Sequence, residues 1–270
     1  MRKPVAAILY DFDKTLCTKD MQEYAFIPGI DMTADEFWGK CNELTKVHKM
    51  DQILSYMYVM ISESRGKKLL NRSEFKKLGE SVELMKGVLT WFERVNAYAD
   101  KIGVELEHYV ISSGLKEIIE GTPIAKYFKE IYAAEFLYDE HNVPVWPAMA
   151  VNYTSKTQFL FRINKGVLDS TDHKTLNIYT PEEERRIPFG NMIYIGDGFT
   201  DVPCMKLVKV NGGHSIAVYS ENQKTAEDIL NQGRVDFTAL ADYSEGEKLE
   251  KTVFTVLDLI KANDNVKVIK

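Results

Sequence analysis

The sequence predicts an α/β protein in which a parallel β-sheet packs between helices, with a smaller helical domain inserted after the first strand. Short, continuous apolar runs alternate with helix-length amphipathic patterns along most of the chain. Strands that alternate with helices form βαβ units, which build a parallel sheet with right-handed crossovers. Residues 20–90 break this alternation because they contain helical patterns only, and this indicates an insertion into the core.

Five strands are predicted from the apolar runs. The first, Val5–Tyr10, has no charged residue and is typical of a strand that is buried on both faces. The other runs are Tyr109–Ile111, Ile131–Phe136, Met192–Ile195 and Ser215–Tyr219. Helices are predicted between and after them at Lys116–Glu120, Thr157–Asn164, Asp201–Lys206 and Gln223–Gln232. A closing helix over Leu249–Lys261 is expected to precede a loose tail.

The inserted stretch has the periodicity of several helices. Its amphipathic patterns cover Ala34–His48, Asp51–Ser64 and Ser73–Met85, and another helix is predicted over Gly87–Lys101. Thr33 and Glu36 have the spacing of a capping box at a helix start. We therefore expect residues 1–18 and 87–270 to form the α/β core domain and residues 19–86 to form the helical domain. Residues 164–191 are irregular and are predicted as a long excursion before the fourth strand.

Composition excludes several classes of protein. The chain of 270 residues has 34 Lys and Arg against 40 Asp and Glu, a formal net charge of −6 and no long basic block, which argues against a nucleic-acid-binding protein. No apolar run approaches the roughly 18 residues of a membrane helix. The three cysteines lie far apart without a CxxC pair, and the short apolar start has no cleavage pattern. We expect a cytoplasmic protein with no membrane association, and the sequence identifies no protein partner.

Two carboxylates, Asp11 and Asp13, directly follow the first strand. In an extended chain such residues point the same way, and ligands of open parallel sheets bind beyond the carboxyl ends of the strands. Carboxylates held close together suit a divalent cation or one shared proton. A plain strand-to-helix turn uses the same residue types, so this motif alone leaves both interpretations open. A calcium loop of the EF-hand type is excluded because Leu16 and Gln22 stand where it needs Gly and Glu.

A second acidic motif follows the strand Met192–Ile195, where Asp197 and Asp201 lie among glycines that permit a tight turn. Taken alone, it is equally consistent with a Gly-rich turn and a capping Asp. Beside the first motif, it brings a third and a fourth carboxylate to the same edge of the predicted sheet.

Two weaker signals concern phosphate. Ser112, Ser113 and Gly114 follow the second strand, and a hydroxyl with backbone N–H groups at a helix start can form a phosphate cradle, although a helix-capping serine fits as well. Lys156 precedes an apolar-periodic helix and is a candidate to neutralise a phosphoryl group. Lys165 at the end of that helix is the rival candidate, but a lysine is expected there as a helix-capping residue, so we prefer Lys156.

In this order, the four motifs resemble those of the haloacid dehalogenase-like hydrolase superfamily. DFDKTL is similar to its first motif, VISSG to its second, the region of Lys156 to its third and IGDGFTD to its fourth, within residues 8–205. The helical stretch after the first motif resembles the helical cap of the phosphoserine-phosphatase-like branch. The resemblance implies a Rossmann-like parallel sheet sandwiched by helices, with an inserted helical cap domain.

The resemblance also implies a role for each motif residue. Asp11 would attack phosphorus and become an aspartyl phosphate, and Asp13 would protonate the leaving oxygen and then activate water. Ser112, with backbone N–H groups of Ser113 or Gly114, would hold the phosphoryl oxygens, and Lys156 would balance the charge. The implied activity is that of a phosphatase that hydrolyses a small phosphomonoester, so the implied partner is a small phosphorylated metabolite.

The implied cofactor is Mg²⁺. Asp11, Asp197 and the backbone carbonyl of Asp13 would bind it, and Asp201 would either support its ligands or hold Lys156. Because a carboxylate nucleophile and a phosphate dianion repel each other, a cation and a lysine at this place are chemically coherent.

The chain departs from the phosphoserine phosphatases at several positions. Lys14 stands where many relatives have Gly, Thr200 stands where they usually have Asn, and the chain is longer. The phosphoserine substrate is therefore not carried over. Relatives hold the substrate amine with an acid about nine residues after the nucleophile, and Asp20 and Glu23 lie nearby, but solvated acids are the preferred interpretation. Six basic residues of the insertion are likewise interpreted as a solvated face rather than as a substrate-binding surface: Arg65, Lys67, Lys68, Arg72, Lys76 and Lys77.

Two other functions stay open. A phosphotransferase or phosphomutase on the same fold would pass the phosphoryl group to a hydroxyl instead of water. A non-catalytic metal-binding module would keep the fold without the chemistry, but a binder has no need of both Asp11 and Asp13. Aromatic residues of the insertion, including Trp38 and Tyr56, are candidates to line a substrate pocket, although most are expected in its core.

Overall fold

The computed structural model describes residues 3–221 and 223–269 of the chain. The strands are β1 (Val5–Tyr10), β2 (Glu105–Leu115), β3 (Phe128–Tyr138), β4 (Pro144–Met149), β5 (Met192–Gly196), β6 (His214–Tyr219) and β7 (Phe237–Leu240). They form one sheet of the order β4-β3-β2-β1-β5-β6-β7, in which each neighbouring pair is parallel except β3 and β4. The predicted α/β class with a mainly parallel, Rossmann-like sheet is confirmed.

Helices cover both faces of this sheet. In chain order they are α1 (Gln22–Ala25), α2 (Ala34–His48), α3 (Gln52–Ser64), α4 (Arg72–Leu78), α5 (Val88–Ile102), α6 (Lys116–Glu120), α7 (Lys156–Lys165), α8 (His173–Asn177), α9 (Val202–Val210), α10 (Gln223–Asn231) and α11 (Lys248–Ile269). Within the described ranges, none of them is both long and apolar enough to cross a membrane.

The central strand β1 is buried along its whole length. Every second residue, starting at Ala6, packs into a core shared with α5, α11 and the helices that follow β1. The alternate residues, starting at Val5, pack into a second core with α7, α9 and α10. Because successive side chains of a strand point to opposite faces, burial on both faces explains why this run contains no charged residue.

The helices α1–α4 lie between β1 and α5, where the sequence predicts an insertion. The two segments that connect them to the core run side by side. Cys17 and Leu84 form an antiparallel bridge, and the Met85 N–H donates to the Leu16 carbonyl at 2.9 Å. The expected boundaries, after residue 18 and before residue 87, fall beside these paired segments. The start of α2 has the predicted capping box of Thr33 and Glu36.

The predicted helix Ser73–Met85 is wrong in its second half. The helix α4 ends at Leu78, continues as a single 3₁₀ turn and then becomes extended. A close approach between α4 and α6 accounts for this end: a Cβ at Gly121 would lie 1.8 Å from the Lys76 carbonyl oxygen, and one at Gly79 would lie 2.3 Å from that of Ile118. Two glycines therefore let the backbones touch, and the packing directs the chain back to the core.

Four further expectations are corrected by the structure. Both edge strands, β4 and β7, were absent from the predicted set, because β4 contains Pro144 and Pro147 and β7 has only four residues. The strand β2 continues through Ser112–Gly114 to Leu115 instead of turning after Ile111. The last helix extends to Ile269, so residues 262–269 are not a loose tail.

Candidate active site

The candidate site lies at the carboxyl ends of β2, β1 and β5, which are neighbours at the centre of the sheet. Tyr10 pairs with Val110 on one side and with Ile195 on the other. The residues that follow these positions therefore meet at one edge of the sheet, and the Asp11 N–H donates to the Ile195 carbonyl at 2.9 Å. This register brings the DFDKTL and IGDGFTD segments together.

Lys156 is the buried cation of this site. It is 1% exposed, and its Nζ lies 2.9 Å from Asp11 Oδ1 and 2.8 Å from Asp201 Oδ1. The Tyr194 hydroxyl donates to the same oxygen of Asp201 at 2.8 Å. Burial alone would lower the pKa of Lys156, but the two carboxylates outweigh it and raise this pKa, so the ammonium stays charged. The starts of α7 and α9 meet here.

Lys165, the rival candidate, lies at the other end of α7. Its Nζ donates to the carbonyls of Leu176 and Ile178, at 2.7 Å each. It therefore tethers the irregular stretch after α7, and Lys156 is the lysine that contacts the carboxylates.

Three carboxylates of the site are close enough to share one ion. Oxygens of Asp11, Asp197 and Asp201 all lie within 4.8 Å of one another. Burial, followed by the charge of Asp201, raises the pKa of Asp11 to about 7, and the same two causes raise the pKa of Asp197 to about 8. Three acids this close resist full ionisation unless a cation balances them.

These residues fit a divalent metal. Asp201 Oδ2 is buried and has no hydrogen-bond partner within the described residues. A Cβ at Gly196 would lie 2.4 Å from this oxygen, so only glycine leaves room for it. Carboxylate oxygens are the ligands that Mg²⁺ and similar hard cations prefer. The Asp13 carboxylate is not a member of this group, and the expected contribution of its backbone carbonyl stays a prediction.

Asp13 lies beside the cluster in a different environment. Its Oδ1 accepts the Met21 N–H at 2.8 Å, and its Oδ2 would lie 2.9 Å from a Cβ at Gly114. Burial, together with the charges of Asp20 and Asp11, raises the pKa of Asp13 well above its usual range. Both causes favour the protonated form of this carboxyl group.

The two serines of the VISSG segment lie near the site, but on strand β2 rather than at the start of a helix. Ser112 is fully buried, and its Oγ accepts the Gly114 N–H at 3.0 Å. Ser113 lines the cavity described next, and its buried Oγ has no partner among the described residues. The predicted turn is wrong, because the backbone stays extended to Leu115 while its pairing with β3 is interrupted after Ile111. The predicted helix Lys116–Glu120 follows directly and is confirmed.

A cavity of about 510 Å³ lies above the carboxylates, between the core and the inserted helices. Its floor contains Asp11, Asp13, Ser113, Lys156 and Asp197. Its opposite wall belongs to the insertion and contains Gln22, Trp38, Asn42, Gln52, Ile53 and Tyr56. A larger hollow of about 580 Å³ beside α11 is lined by Glu247 but by none of the motif residues, so chemistry rather than size identifies the site.

Sequence reasoning missed the amides of this wall. Gln22 is 2% exposed, and its burial depends on how α1 packs, which no local pattern shows. Asn42 and Gln52 are exposed polar residues of their helices, and the sequence does not distinguish them from residues that only contact solvent. Trp38 and Tyr56 were considered as wall residues, and both line the cavity.

The two acids near the insertion start have partners in the protein. Asp20 accepts a hydrogen bond from Lys14 at 2.6 Å and lines the cavity. Glu23 accepts one from Trp38 Nε1 at 2.8 Å. Neither is a freely solvated acid. Lys14 has a φ of 56°, in the left-handed region.

With this fold and site, the chain can be compared with known proteins. A model of the haloacid dehalogenase-like hydrolase family matches residues 8–206. The match covers more than half of the chain, and the protein therefore belongs to this family. The superfamily identified from the four motifs is confirmed, and the class of protein is a hydrolase.

Individual relatives share the fold or the sequence at low identity. An uncharacterised protein of Borreliella burgdorferi is 29% identical over 278 aligned positions, covering 92% of this chain and 95% of that protein. A haloacid dehalogenase family hydrolase from Salmonella enterica serovar Typhi superposes with a TM-score of 0.57 and 15% identity, over 91% of this chain and 73% of its own. A phosphoserine phosphatase with a phospho-aspartyl intermediate analogue superposes with a TM-score of 0.57 and 17% identity, over 92% and 97%. The two structures demonstrate a shared fold.

Proposed function

We propose that this protein is a divalent-metal-dependent phosphatase that hydrolyses a small phosphomonoester through an aspartyl phosphate on Asp11. One observation carries the proposal: a buried lysine joins Asp11 to Asp201 at the floor of a cavity that also holds Asp13. This arrangement supplies a nucleophile, an acid and a positive charge to one bound phosphate. The fold shared with a phosphoserine phosphatase supports phosphatase chemistry.

In the first step, a carboxylate oxygen of Asp11 attacks phosphorus, and the bond between phosphorus and the ester oxygen breaks. The leaving oxygen takes the proton of Asp13, whose raised pKa favours the protonated form. Lys156 stabilises the ionised form of Asp11, because its charge lowers the pKa that burial raises. Ser113, whose hydroxyl is unpartnered among the described residues, is placed to donate to a phosphoryl oxygen.

In the second step, Asp13 is ionised and acts as a base. It takes a proton from a water molecule, whose oxygen attacks the phosphorus of the aspartyl phosphate. The bond between Asp11 and phosphorus breaks, inorganic phosphate leaves, and both carboxyl groups return to their initial states. A divalent metal held by Asp11, Asp197 and Asp201, for which we propose Mg²⁺, would supply charge neutralisation between the nucleophile and the phosphate.

The test is phosphate release from p-nitrophenyl phosphate by the wild-type protein, with Mg²⁺ and with EDTA, alongside Asp11→Asn. Asp35→Asn is the matched control, since Asp35 is exposed in the first turn of α2. We expect activity that requires the metal, that the control retains and that Asp11→Asn loses by about 10³-fold or more.

Three outcomes would overturn the proposal. Equal activity of Asp11→Asn and wild type would exclude Asp11 as the nucleophile. Absence of activity with Mg²⁺ on p-nitrophenyl phosphate and on a broad phosphomonoester panel would favour a binding module. Transfer of the phosphoryl group to added alcohols, in preference to water, would identify a phosphotransferase.

A further inference from the structure

On the basis of the proposed phosphatase function, we propose that the alcohol part of the substrate is an uncharged polyol, as in a glycerol or sugar phosphate. We further propose that Gln22 accepts a hydrogen bond from one of its hydroxyls. The inference depends on the wall of the cavity that faces the carboxylates.

Gln22 offers an acceptor that the protein itself leaves unused. The residue is 2% exposed and lines the cavity, and its buried Oε1 has no hydrogen-bond partner within residues 3–221 and 223–269. Buried polar atoms are almost always paired, so this atom indicates a donor on the ligand. Gln22 directly follows Met21, whose N–H holds Asp13. Because Asp13 protonates the leaving oxygen, Gln22 lies beside the alcohol part and not beside the phosphate.

The rest of this wall is neutral and suits hydroxyl groups. Asn42 on α2 and Gln52 on α3 also line the cavity. An amide can both donate to and accept from a hydroxyl, although Gln52 Oε1 already accepts the Tyr153 hydroxyl at 2.9 Å. Trp38 and Tyr56 lie on the same two helices, four residues from Asn42 and Gln52, with ring centroids 6.4 Å apart. Amides with aromatic rings match a molecule that has hydroxyls and C–H groups.

The polar atoms of both aromatic side chains are already engaged in the protein. Trp38 Nε1 donates to Glu23 at 2.8 Å, and the Tyr56 hydroxyl donates to the Ser113 carbonyl at 2.8 Å. The two residues therefore offer ring surface to the ligand, while the amides supply its hydrogen bonds.

The charges of the lining disfavour a second anionic group. Two lysines line the cavity, and both are paired: Lys156 with two carboxylates, and Lys14 with Asp20 at 2.6 Å. The lining also contains Asp11, Asp13 and Asp197. With every group ionised, four aspartates against two lysines give a formal charge of −2 before metal binds. A carboxylate on the substrate would therefore meet repulsion, with no unpaired cation among the described lining residues to receive it.

The six basic residues of the insertion do not change this conclusion, because none of them lines the cavity. Arg72, for example, pairs with Glu135, and Lys76 pairs with Glu120. The described residues of the wall thus include no cation of the kind that recognition of a phosphorylated amino acid or a phosphorylated carboxylic acid requires.

The first experiment compares substrates that differ only in a carboxylate. Glycerol 3-phosphate is measured against 3-phosphoglycerate, and sorbitol 6-phosphate against 6-phosphogluconate, with phosphoserine and phosphoethanolamine in the same panel. We expect kcat/KM to be at least about 30-fold higher for the better polyol than for its acid, since an unpaired buried group costs a factor of this order. Preference for a carboxylate or an ammonium substrate, or hydrolysis of none of the polyols, would overturn the inference.

The second experiment tests Gln22 through Gln22→Met, which keeps the length of the side chain and removes the acceptor. We expect kcat/KM for the preferred polyol phosphate to fall about tenfold or more, and that for p-nitrophenyl phosphate to fall several-fold less, because its alcohol has no second hydroxyl. Gln232→Met, at an exposed position outside the lining, is the control. An equal loss on both substrates would mean a structural role for Gln22 and would refute the assignment.

The phosphatase function and the substrate class are refuted by different results. If neither p-nitrophenyl phosphate nor any phosphomonoester of the panel is hydrolysed, or if Asp11→Asn is fully active, the phosphatase function is wrong. If p-nitrophenyl phosphate is hydrolysed by Asp11-dependent chemistry but acids are preferred to polyols, only the substrate class is wrong. The wild-type substrate pairs need no variant, so the inference can be refuted even where Gln22→Met does not fold.

Discussion

Replacing Lys156 by Met removes the single positive charge between two buried carboxylates. Lys156, Asp11 and Asp201 are each less than a tenth exposed, and the two ion-pair distances are 2.9 and 2.8 Å. In the variant, the methionine fills most of the space of the lysine, but the carboxylates face each other and Asp197 without the cation that balances their charge. We therefore expect loss of both stability and activity, for electrostatic rather than steric reasons.

The expected loss of stability follows from the geometry. Two unit charges about 4 Å apart interact by about 4 kcal/mol at an effective dielectric constant of about 20, and removal of one partner from a buried ion pair destabilises by about 3–5 kcal/mol. The folded pKa of Asp11 is already about 7 with the lysine present, against about 4 for an unfolded carboxyl group. The folded protein thus binds this proton more tightly, and stability falls as the pH rises from about 4 to 7. Without the lysine this pKa rises further, so the deficit of the variant grows between pH 6 and pH 9.

Equilibrium unfolding in guanidinium chloride without metal, at pH 6 and pH 8.5, measures this deficit. Circular dichroism and the fluorescence of the tryptophans, among them the fully buried Trp91, should give one transition for each protein. Lys165→Met is the control, since that lysine bonds backbone carbonyls of the stretch after α7. We expect it to keep phosphatase activity, whereas Lys156→Met loses about 10²–10³-fold in kcat. A deficit of Lys156→Met that is below about 1 kcal/mol, or that does not depend on pH, would refute the electrostatic reasoning.

Two further predictions concern residues around the site. In Gly114→Ala, the new Cβ would lie 2.0 Å from Met21 Cε and 2.9 Å from Asp13 Oδ2. We therefore expect the Asp13 carboxyl group to be displaced and kcat to fall at least tenfold. Unchanged kinetics would mean that Asp13 is not held by this contact. Burial lowers the pKa of His108 to about 3, against 6.5 when it is exposed, so the unfolded chain takes up a proton that the folded protein refuses. The free energy of unfolding of the wild type should therefore fall by about 1.4 kcal/mol per pH unit below pH 6 from this residue alone. Urea unfolding of His108→Gln should show a shallower decline with falling pH. Parallel stability curves of the two proteins against pH would exclude His108 as the cause.

The sequence is most informative where a local pattern decides the structure. The run Val5–Tyr10 is buried on both faces and forms the central strand, because a segment without charged side chains in a chain of this composition has few alternatives. The acids that follow β1 and β5 meet because parallel neighbours end at the same edge. Two motifs almost 190 residues apart in sequence were therefore assigned to one place without knowledge of the packing.

The sequence is least informative where packing overrides the local pattern. The edge strand β4 contains Pro147 and an exposed Trp146, features that local propensity assigns to a loop, yet its pairing with β3 makes it a strand. Gln22 belongs to a helix of four residues and is buried by the tertiary structure. For this reason the charged residues on the floor of the cavity could be predicted from the motifs, whereas the amide residues of the opposite wall could not.

Lys14 shows how a departure from the family pattern becomes understandable in the structure. Its φ of 56° is in the left-handed region, where a non-glycine residue costs about 1–2 kcal/mol, which explains why many relatives can have Gly at this position. The Lys14 side chain is half exposed in its ion pair with Asp20. Exposed ion pairs contribute about 1 kcal/mol at most, so this pair offsets only part of the backbone strain. The side chain lines the cavity, and although burial lowers the pKa of Lys14, Asp20, Asp197 and Asp13 together raise it. Lys14 therefore adds to the lining of the cavity a positive charge that is held against Asp20.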